Sequence, residues 1–268
     1  MNTARTTPTL ARHALALSLA LAATGVSAQG AAPSAPQPSA SPAATGARWG
    51  AGLLLSADTQ PYKGMDNTLK VLPALQFENR WVRLFGPVLD VKLHEAPGSQ
   101  LALRLRYADS GYQARDSAYL TGMAERKSGV WLGARGEWRN GLGQISGEWL
   151  ADASNHSQGQ QLKWVVETLQ HLGPVAVVPR LGLVWQDKKY VNYHFGVNAD
   201  EARAGRDAYA GSAALSTELG VRLLYRLAPQ QSMFLDLSAT ALGSAITDSP
   251  LVGRNTVSAL RLGYVYRF

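Results

Sequence analysis

Apolar and polar residues alternate along most of the chain, in segments of about ten residues separated by turn residues. In LALRLRY (101–107), leucines and a tyrosine occupy the odd positions, while alanine and two arginines occupy the even ones. The same period of two runs through VWLGARGEW (130–138), ELGVRLLYRL (218–227) and ALRLGYVYRF (259–268). A period of two is typical of a β-strand with one apolar and one polar face. The pattern therefore predicts an all-β protein.

Two architectures accommodate many such strands, and they differ in where the apolar face points. A soluble sandwich or lipocalin-like barrel turns that face inward, whereas an outer-membrane barrel turns it outward against lipid. Here the polar face carries Arg and Glu with little Lys, Asn or Asp, and Trp and Tyr recur at the strand ends. Aromatic girdles and strands of about ten tilted residues are features of membrane barrels. The sequence predicts a transmembrane antiparallel up-and-down β-barrel in the cell outer membrane, with outer-membrane lipid as a partner.

The number of strands depends on the segment WVRLFGPVLDVKLHE (81–95). Short turns of such barrels face the periplasm and long loops face outward, which makes 108–127 and 188–212 external loops. With that rule, counts from both ends of the barrel require an odd number of strands within 81–107. Proline cannot donate to a central ladder, so Gly86-Pro87 is expected to split the segment into two short strands. Splitting gives about twelve strands, which we predict; merging gives ten.

The N-terminal region has a different composition. Arg5 and Arg12 precede the apolar stretch ALALSLALAATGV (14–26), and small residues follow up to Ala28. This order predicts a secretory signal peptide over residues 1–28. Residues 29–46 are rich in Pro, Ala and Ser and carry no charge, so we expect a disordered tether there. The barrel is then predicted to occupy residues 47–268.

Basic residues outnumber acidic ones, with a formal net charge of +7. They are spread singly along the strands rather than gathered in a patch, so we predict no nucleic-acid partner. Several of them fall on the predicted inner face, where a charge away from water needs a partner. We expect these side chains to form an ion-pair network across the lumen; a slim, weakly anion-preferring pore is the alternative. The predicted lumen set is Arg104, Arg106, Arg135, Glu137, Glu148, Lys163, Glu167, Arg180, Glu218, Arg222, Arg226, Asp236 and Arg261.

The last strand has aromatic and leucine side chains on its apolar face up to the final residue. This pattern resembles the signal that outer-membrane proteins present to the barrel-assembly machinery, and such a strand would also close the barrel against the first one. The residues of this expected assembly signal are Leu260, Leu262, Tyr264, Tyr266 and Phe268.

Candidate catalytic and ligand-binding residues are few. Ser154, His156 and Ser157 lie beside Asp152 in SNHSQG (154–159), but these neighbours in a polar loop favour a solvated turn over a catalytic triad. The aromatic segment YVNYHFGV (190–197) fits a membrane girdle or a contact for a glycan or lipid. No Cys/His or paired-carboxylate spacing indicates a metal site. We predict no catalytic residues, no metal and no cofactor.

Several segments resemble the MipA/OmpV family (MltA-interacting protein family) of Gram-negative outer-membrane proteins. The resemblance covers most of residues 48–268 and depends on the order of the matching segments. These are WGAGLLLS with YKGM (62–65), PALQFENRWVRLFG (73–86), DSAYLTGMAERKSGVWLGARGEW (116–138), VPRLGLVWQDKKYVNYHFGV (178–197), GRDAY (205–209), DSPLV (248–252) and the terminal YVYRF.

This resemblance implies a non-enzymatic scaffold of the cell envelope. The expected partners are peptidoglycan-remodelling enzymes, a murein transglycosylase and a penicillin-binding protein, and docking is expected through the periplasmic turns and the N-terminal segment. The alternatives are the narrow channel for small solutes and a surface adhesin that uses the two long loops.

Overall fold

The computed structural model describes residues 46–108 and 110–268. The predicted signal peptide and nearly all of the predicted tether lie outside these residues. The strands are β1 (Arg48–Asp58), β2 (Thr68–Glu78), β3 (Val82–Phe85), β4 (Val88–Ala96), β5 (Ser99–Ala108), β6 (Gly129–Asn140), β7 (Gly143–Asp152), β8 (Gln160–Glu167), β9 (Gln170–Leu172), β10 (Val175–Gln186), β11 (Ala214–Ala228), β12 (Gln231–Ala241) and β13 (Thr256–Arg267). Two helices, α1 (Lys188–Phe195) and α2 (Ser244–Thr247), and two 3₁₀ turns, Ala114–Asp116 and Ala118–Leu120, lie in the loops.

The strands form one closed antiparallel sheet. Each strand pairs with its neighbour in sequence, and β13 pairs with β1 to complete the circle. The segments β8 and β9 occupy one position, because both pair with the same side of β10. Thr168, between them, lies opposite Pro179, which has no N–H to continue the ladder. The barrel therefore has twelve strand positions, which confirms the predicted count.

The predicted break at Gly86-Pro87 is confirmed and forms the tip of a short hairpin. Strand β3 ends at Phe85, β4 begins at Val88, and Gly86 adopts a φ of 52°, a left-handed conformation that glycine adopts without strain. Only residues 76–78 of β2 pair with β3. This hairpin is therefore much shorter than the others.

The alternation places apolar side chains on the outside of the barrel. Leu103, Leu105 and Leu219 are all exposed, whereas Arg104, Arg106 and Glu218 next to them are buried. The inner face of β1 is an exception, because Leu54 there is buried with Ala74 of β2 in an apolar cluster inside the lumen. The predicted orientation, with leucines outward and charges inward, is thus present in the structure.

Short turns lie at one end of the barrel and long loops at the other. The short turns follow β2, β4, β6, β9 and β11, and the long loops follow β1, β5, β7, β10 and β12. By the rule for membrane barrels the short turns mark the periplasmic end. None of the helices in the described residues is long and apolar enough to cross a membrane.

Candidate functional site: the lumen and its cap

The first cluster of charges lies on the inner faces of β4, β5 and β7. Arg104 Nη2 donates to Asp90 Oδ2 at 2.7 Å, and Arg104 Nη1 also contacts Glu148. Arg106 Nη1 donates to the second oxygen of Glu148 at 2.8 Å. Arg104 reaches Glu148 over β6, where Gly133 lies opposite it in the register. All four side chains are buried, so each charge is balanced by a neighbour rather than by water.

The second cluster joins β8, β10, β11 and β12. Lys163 Nζ donates to Glu218 Oε2 at 2.7 Å, and Arg180 Nε donates to Glu218 Oε1 at 3.0 Å. Arg180 Nη1 also donates to Asp236 Oδ2 at 2.7 Å, and Arg222 Nε donates to the same oxygen at 2.8 Å. Two carboxylates thus hold three cations in one chain of hydrogen bonds along the inner wall from β8 to β12.

Gly220 makes room for the second cluster. It faces Arg180 across the β10–β11 pair, and a Cβ built on it would lie 2.6 Å from the Arg180 Cζ. A Cβ at this position would therefore require the Arg180 guanidinium to shift relative to its two carboxylates.

The other predicted lumen residues make separate contacts. Arg135 Nε donates to Glu137 Oε1 at 2.8 Å, and Glu167 accepts a hydrogen bond from Gln144 at 3.1 Å. Arg261 pairs with Asp58 at 3.2 Å at the outer end. The remaining member, Arg226, is exposed toward the periplasmic end.

Charged residues of the lumen that were absent from the predicted set include five on β1 to β4. Glu78 contacts Lys92 at 2.9 Å and Arg83 at 3.1 Å, while Asp90 and Asp58 pair with arginines as described above. Asp90 and Lys92 alternate with Leu89 and Val91, which is the signal that would have identified them. Their segment was hard to assign because the hairpin tip at Gly86-Pro87 interrupts its periodicity.

Four external loops pack together over the outer mouth of the barrel, and we call this packed layer the cap. Its apolar core includes Tyr62 after β1, Leu120 after β5, Val191 after β10 and Leu251 after β12, and all four are nearly inaccessible to solvent. Tyr62 Oη donates to the His194 carbonyl at 3.0 Å. The loops 108–127 and 188–212 are thus largely folded into the cap.

Two arginines fasten the cap. Arg126 Nη2 donates to both carboxylate oxygens of Glu201 at 2.9 Å, and the backbone N–H groups of Ala124 and Asn198 donate to the same carboxylate at 2.9 and 3.0 Å. Burial alone would raise the pKa of Glu201, but these N–H donors and the Arg126 charge hold it below its ordinary value. Arg206, which is buried, donates to the carbonyls of Tyr119, Thr121 and Glu201.

Helix α1 is part of the cap, so the girdle interpretation of residues 190–197 is wrong. Val191, His194 and Phe195 on this helix are buried rather than facing lipid. Burial, helped by the Arg126 charge, lowers the pKa of His194 to about 3, so its imidazole is neutral. The ring packs against Tyr190, with centroids 4.4 Å apart. Strand alternation could not predict this burial, because the partners of the helix, such as Tyr62 and Trp131, are distant in sequence.

The loop SNHSQG is organised by Asp152. Its carboxylate accepts hydrogen bonds from the backbone N–H groups of Ser154, Ser157 and Gln158 and from the Ser157 hydroxyl. A carboxylate that holds a turn in this way is engaged by backbone donors and orients no imidazole. Over residues 46–108 and 110–268, no three His, Cys, Asp or Glu side chains come together as possible metal ligands.

The residues of the expected assembly signal all lie on the outer face of β13 or directly after it. The lipid-facing side chains of Leu260 and Tyr264 are exposed, and Phe268 is exposed at the periplasmic end. Its backbone N–H donates to the Trp49 carbonyl at 3.0 Å. Recognition of these residues by the assembly machinery remains a prediction.

A closed antiparallel barrel with apolar side chains outside and charged side chains inside defines a transmembrane β-barrel protein of the outer membrane. The family described as MltA-interacting protein MipA matches residues 50–268. The chain belongs to this family, as the sequence resemblance predicted, and its location is the Gram-negative outer membrane.

Individual relatives are similar over different lengths. Outer membrane protein Omp26La of Vibrio anguillarum and outer membrane protein OmpV of Vibrio cholerae are each 34% identical over 139 residues, which is 52% of this chain and 54% of the relative. The chain thus spans about half the length of these two proteins. The MltA-interacting protein of Escherichia coli is 24% identical over 78% of this chain and 85% of its own length. Among solved structures, an outer membrane channel from Pseudomonas putida F1 aligns over 87% of this chain and 99% of its own, with a TM-score of 0.45 and 14% identity.

Proposed function

We propose that this protein is a non-enzymatic scaffold that docks peptidoglycan-remodelling enzymes, a murein transglycosylase and a penicillin-binding protein, at its periplasmic end. The observation that carries the proposal is that the charged side chains of the lumen are paired with one another. Within each of the two main clusters, around Glu148 and Glu218, the charged side chains bond to one another, and the cap lies over the outer mouth. Charges that are bonded to each other stabilise the barrel wall and are not available to a passing solute, which argues against the channel alternative. The Escherichia coli relative is named for an interaction with MltA, which supports the proposal.

Apolar side chains on the periplasmic turns supply candidate contacts. Leu142, between two glycines at the tip of the β6–β7 turn, is 88% exposed, and Leu172 before the β9–β10 turn is 68% exposed. Trp81, after the β2–β3 turn, is also exposed, and the Arg80 guanidinium lies over its ring at 4.6 Å. Exposed apolar side chains gathered at one end of a protein mark candidate interaction surfaces, and tryptophan is among the residues that dominate protein–protein interfaces.

Binding of purified enzymes to the intact barrel in nanodiscs tests the proposal. A lytic murein transglycosylase and a bifunctional penicillin-binding protein are each titrated, and an unrelated outer-membrane barrel serves as the reference. We expect Leu142→Ser with Leu172→Ser to weaken binding by about tenfold or more. Leu215→Ser, at the exposed external end of β11, is the matched control and should leave Kd unchanged. Binding no tighter than to the reference barrel would reject the proposal.

A further inference from the structure

The short β3–β4 hairpin leaves one side of β2 without a partner strand. The last pair between β2 and β3 joins Gln76 to Phe85, so residues 68–75 of β2 extend past the hairpin tip. No strand in the described part of the chain pairs with them on the side away from β1. At about 3.3 Å per residue, this free edge is roughly 25 Å long. On the side facing β5, the tip of the β3–β4 hairpin lies close to the last residues of that strand: Tyr107 N donates to the Pro87 carbonyl at 3.0 Å.

Loops bridge this opening from above. The Ser117 hydroxyl, after β5, donates to the Lys63 carbonyl before β2 at 2.8 Å. Lys63 Nζ also lies over the Tyr119 ring, 5.2 Å from its centroid. The opening is therefore bounded above by the cap, below by Gly86-Pro87, and on its long side by β2. We call it the window.

The exposure of Leu72 shows that the window reaches the inner face of the wall. Alternation turns Leu72 inward, as it does Ala74 on the same strand and Leu54 opposite it on β1. Ala74 and Leu54 are buried, but Leu72 is 40% exposed. Outward-facing Val71 and Leu75 on the same edge are also exposed. The window is thus apolar and continuous with the lipid-facing surface of the barrel.

The free edge of β2 also presents backbone groups. The Leu75 carbonyl accepts from Gly86 N at 2.9 Å, so odd-numbered residues of β2 direct their backbone toward the hairpin side. The backbone N–H and C=O groups of Leu69 and Val71, and the carbonyl of Pro73, therefore point into the window. Proline has no N–H, which leaves two donors, at Leu69 and Val71. A backbone N–H that faces hydrocarbon is costly unless an acceptor reaches it.

We propose that the window binds an outer-leaflet lipid with ester- or amide-linked acyl chains. A linkage carbonyl accepts a hydrogen bond from the N–H of Leu69 or Val71, and the chain runs over Pro73 and Leu72 toward the hairpin tip. Lipid is favoured over an added protein strand for two reasons. Pro73 interrupts the row of donors that strand addition uses, and the window opens directly onto the lipid-facing surface.

Spin labelling tests the lipid access. The chain contains no cysteine, so a single nitroxide can be attached to Leu72→Cys in vesicles of phosphatidylcholine and phosphatidylglycerol. Collisions with oxygen report lipid contact, and collisions with a water-soluble nickel chelate report water. We expect the label at position 72 to resemble that of Leu75→Cys, which faces lipid, and to differ from Ser238→Cys, which faces inward on β12. A label at 72 that contacts the nickel chelate, or neither reagent, overturns the proposal.

Photocrosslinking tests the carbonyl contact. The wild-type protein is illuminated in the same vesicles with trace diacyl phosphatidylcholine that carries a diazirine on one chain, and labelled peptides are identified by mass spectrometry. We expect labelling around Leu72 to fall about fivefold with the ether-linked analogue, which lacks the carbonyl, as for one net hydrogen bond. Leu72→Trp, which fills the window, should remove this labelling while labelling near Leu103 persists. Equal labelling by both lipids, or uniform labelling of the outer face, rejects the site.

Discussion

Glu148 is the carboxylate whose loss should destabilise the barrel most. Its side chain is 5% exposed and contacts both Arg104 and Arg106. Replacing it by glutamine keeps its size and removes its charge. Arg104 retains Asp90 at 2.7 Å, but Arg106 has no other ion pair among the described residues. One buried guanidinium is therefore left without a counter-charge.

The expected cost follows from this arrangement. Removing one partner of a buried ion pair costs about 3–5 kcal/mol. Since only one of the two arginines loses its last carboxylate, the lower end applies, and we expect about 3 kcal/mol. At 1.36 kcal/mol per factor of ten, the folded-to-unfolded ratio should fall by roughly a hundredfold.

Urea unfolding in phospholipid vesicles, followed by tryptophan fluorescence, measures this free energy. Glu95→Gln is the matched control, because its side chain is 44% exposed and pairs with Lys92 at 3.2 Å; it should cost less than about 1 kcal/mol. The double variant Arg106→Met with Glu148→Leu removes both charges and should recover most of the loss. Equal costs for Glu148→Gln and Glu95→Gln would refute the reasoning.

Three further outcomes are expected. Gly220→Ala should destabilise the barrel by about 1–3 kcal/mol in the same assay, because its Cβ would meet Arg180; Gly136→Ala, whose Cβ would lie 3.7 Å from its nearest neighbour, should not. Because the pKa of folded Glu201 lies below its ordinary value of 4.5, its stabilisation is complete above that value and is lost as the pH falls through the folded pKa. Protection of the cap against hydrogen exchange, measured relative to the intrinsic exchange rate at each pH, should therefore fall in acid, and Glu201→Gln should lower this protection at neutral pH as well. Planar bilayers containing folded protein should stay silent, and steady conductance would favour the channel.

The sequence was informative wherever side-chain direction depends only on alternation. Outward leucines and inward arginines follow from the period of two, and so does the placement of Trp131, which is buried on the inner face of β6. The break at Gly86-Pro87 was also predictable, because proline removes a donor. The apolar inner face of β1 was not, since Leu54 packs on Phe234 and Val265, which come from the opposite end of the chain.

The sequence predicted which kind of residues line the lumen, but it did not predict which of them pair with each other. Alternation placed Arg180 and Asp236 inside the barrel, yet their contact crosses β11 and depends on the small residue at Gly220. Strand registers fix such contacts, and registers depend on loops and closure rather than on local pattern. The cap was missed for the same reason: its core joins residues far apart in sequence, as Tyr62 and Phe195 show.

The junction between β1 and β13 is a contact between the two ends of the barrel sequence, and it raises the average sequence separation of contacting residues. Other strand junctions join neighbours in sequence, whereas this one pairs Gly50 with Arg267 and Asp58 with Ala259. Bringing the two ends of this long segment together costs conformational entropy. That cost is offset only when the edges of β1 and β13 form their backbone hydrogen bonds. Before closure both edge strands carry unpaired backbone N–H and C=O groups, so the unclosed sheet can pair with a second copy of the chain instead of closing.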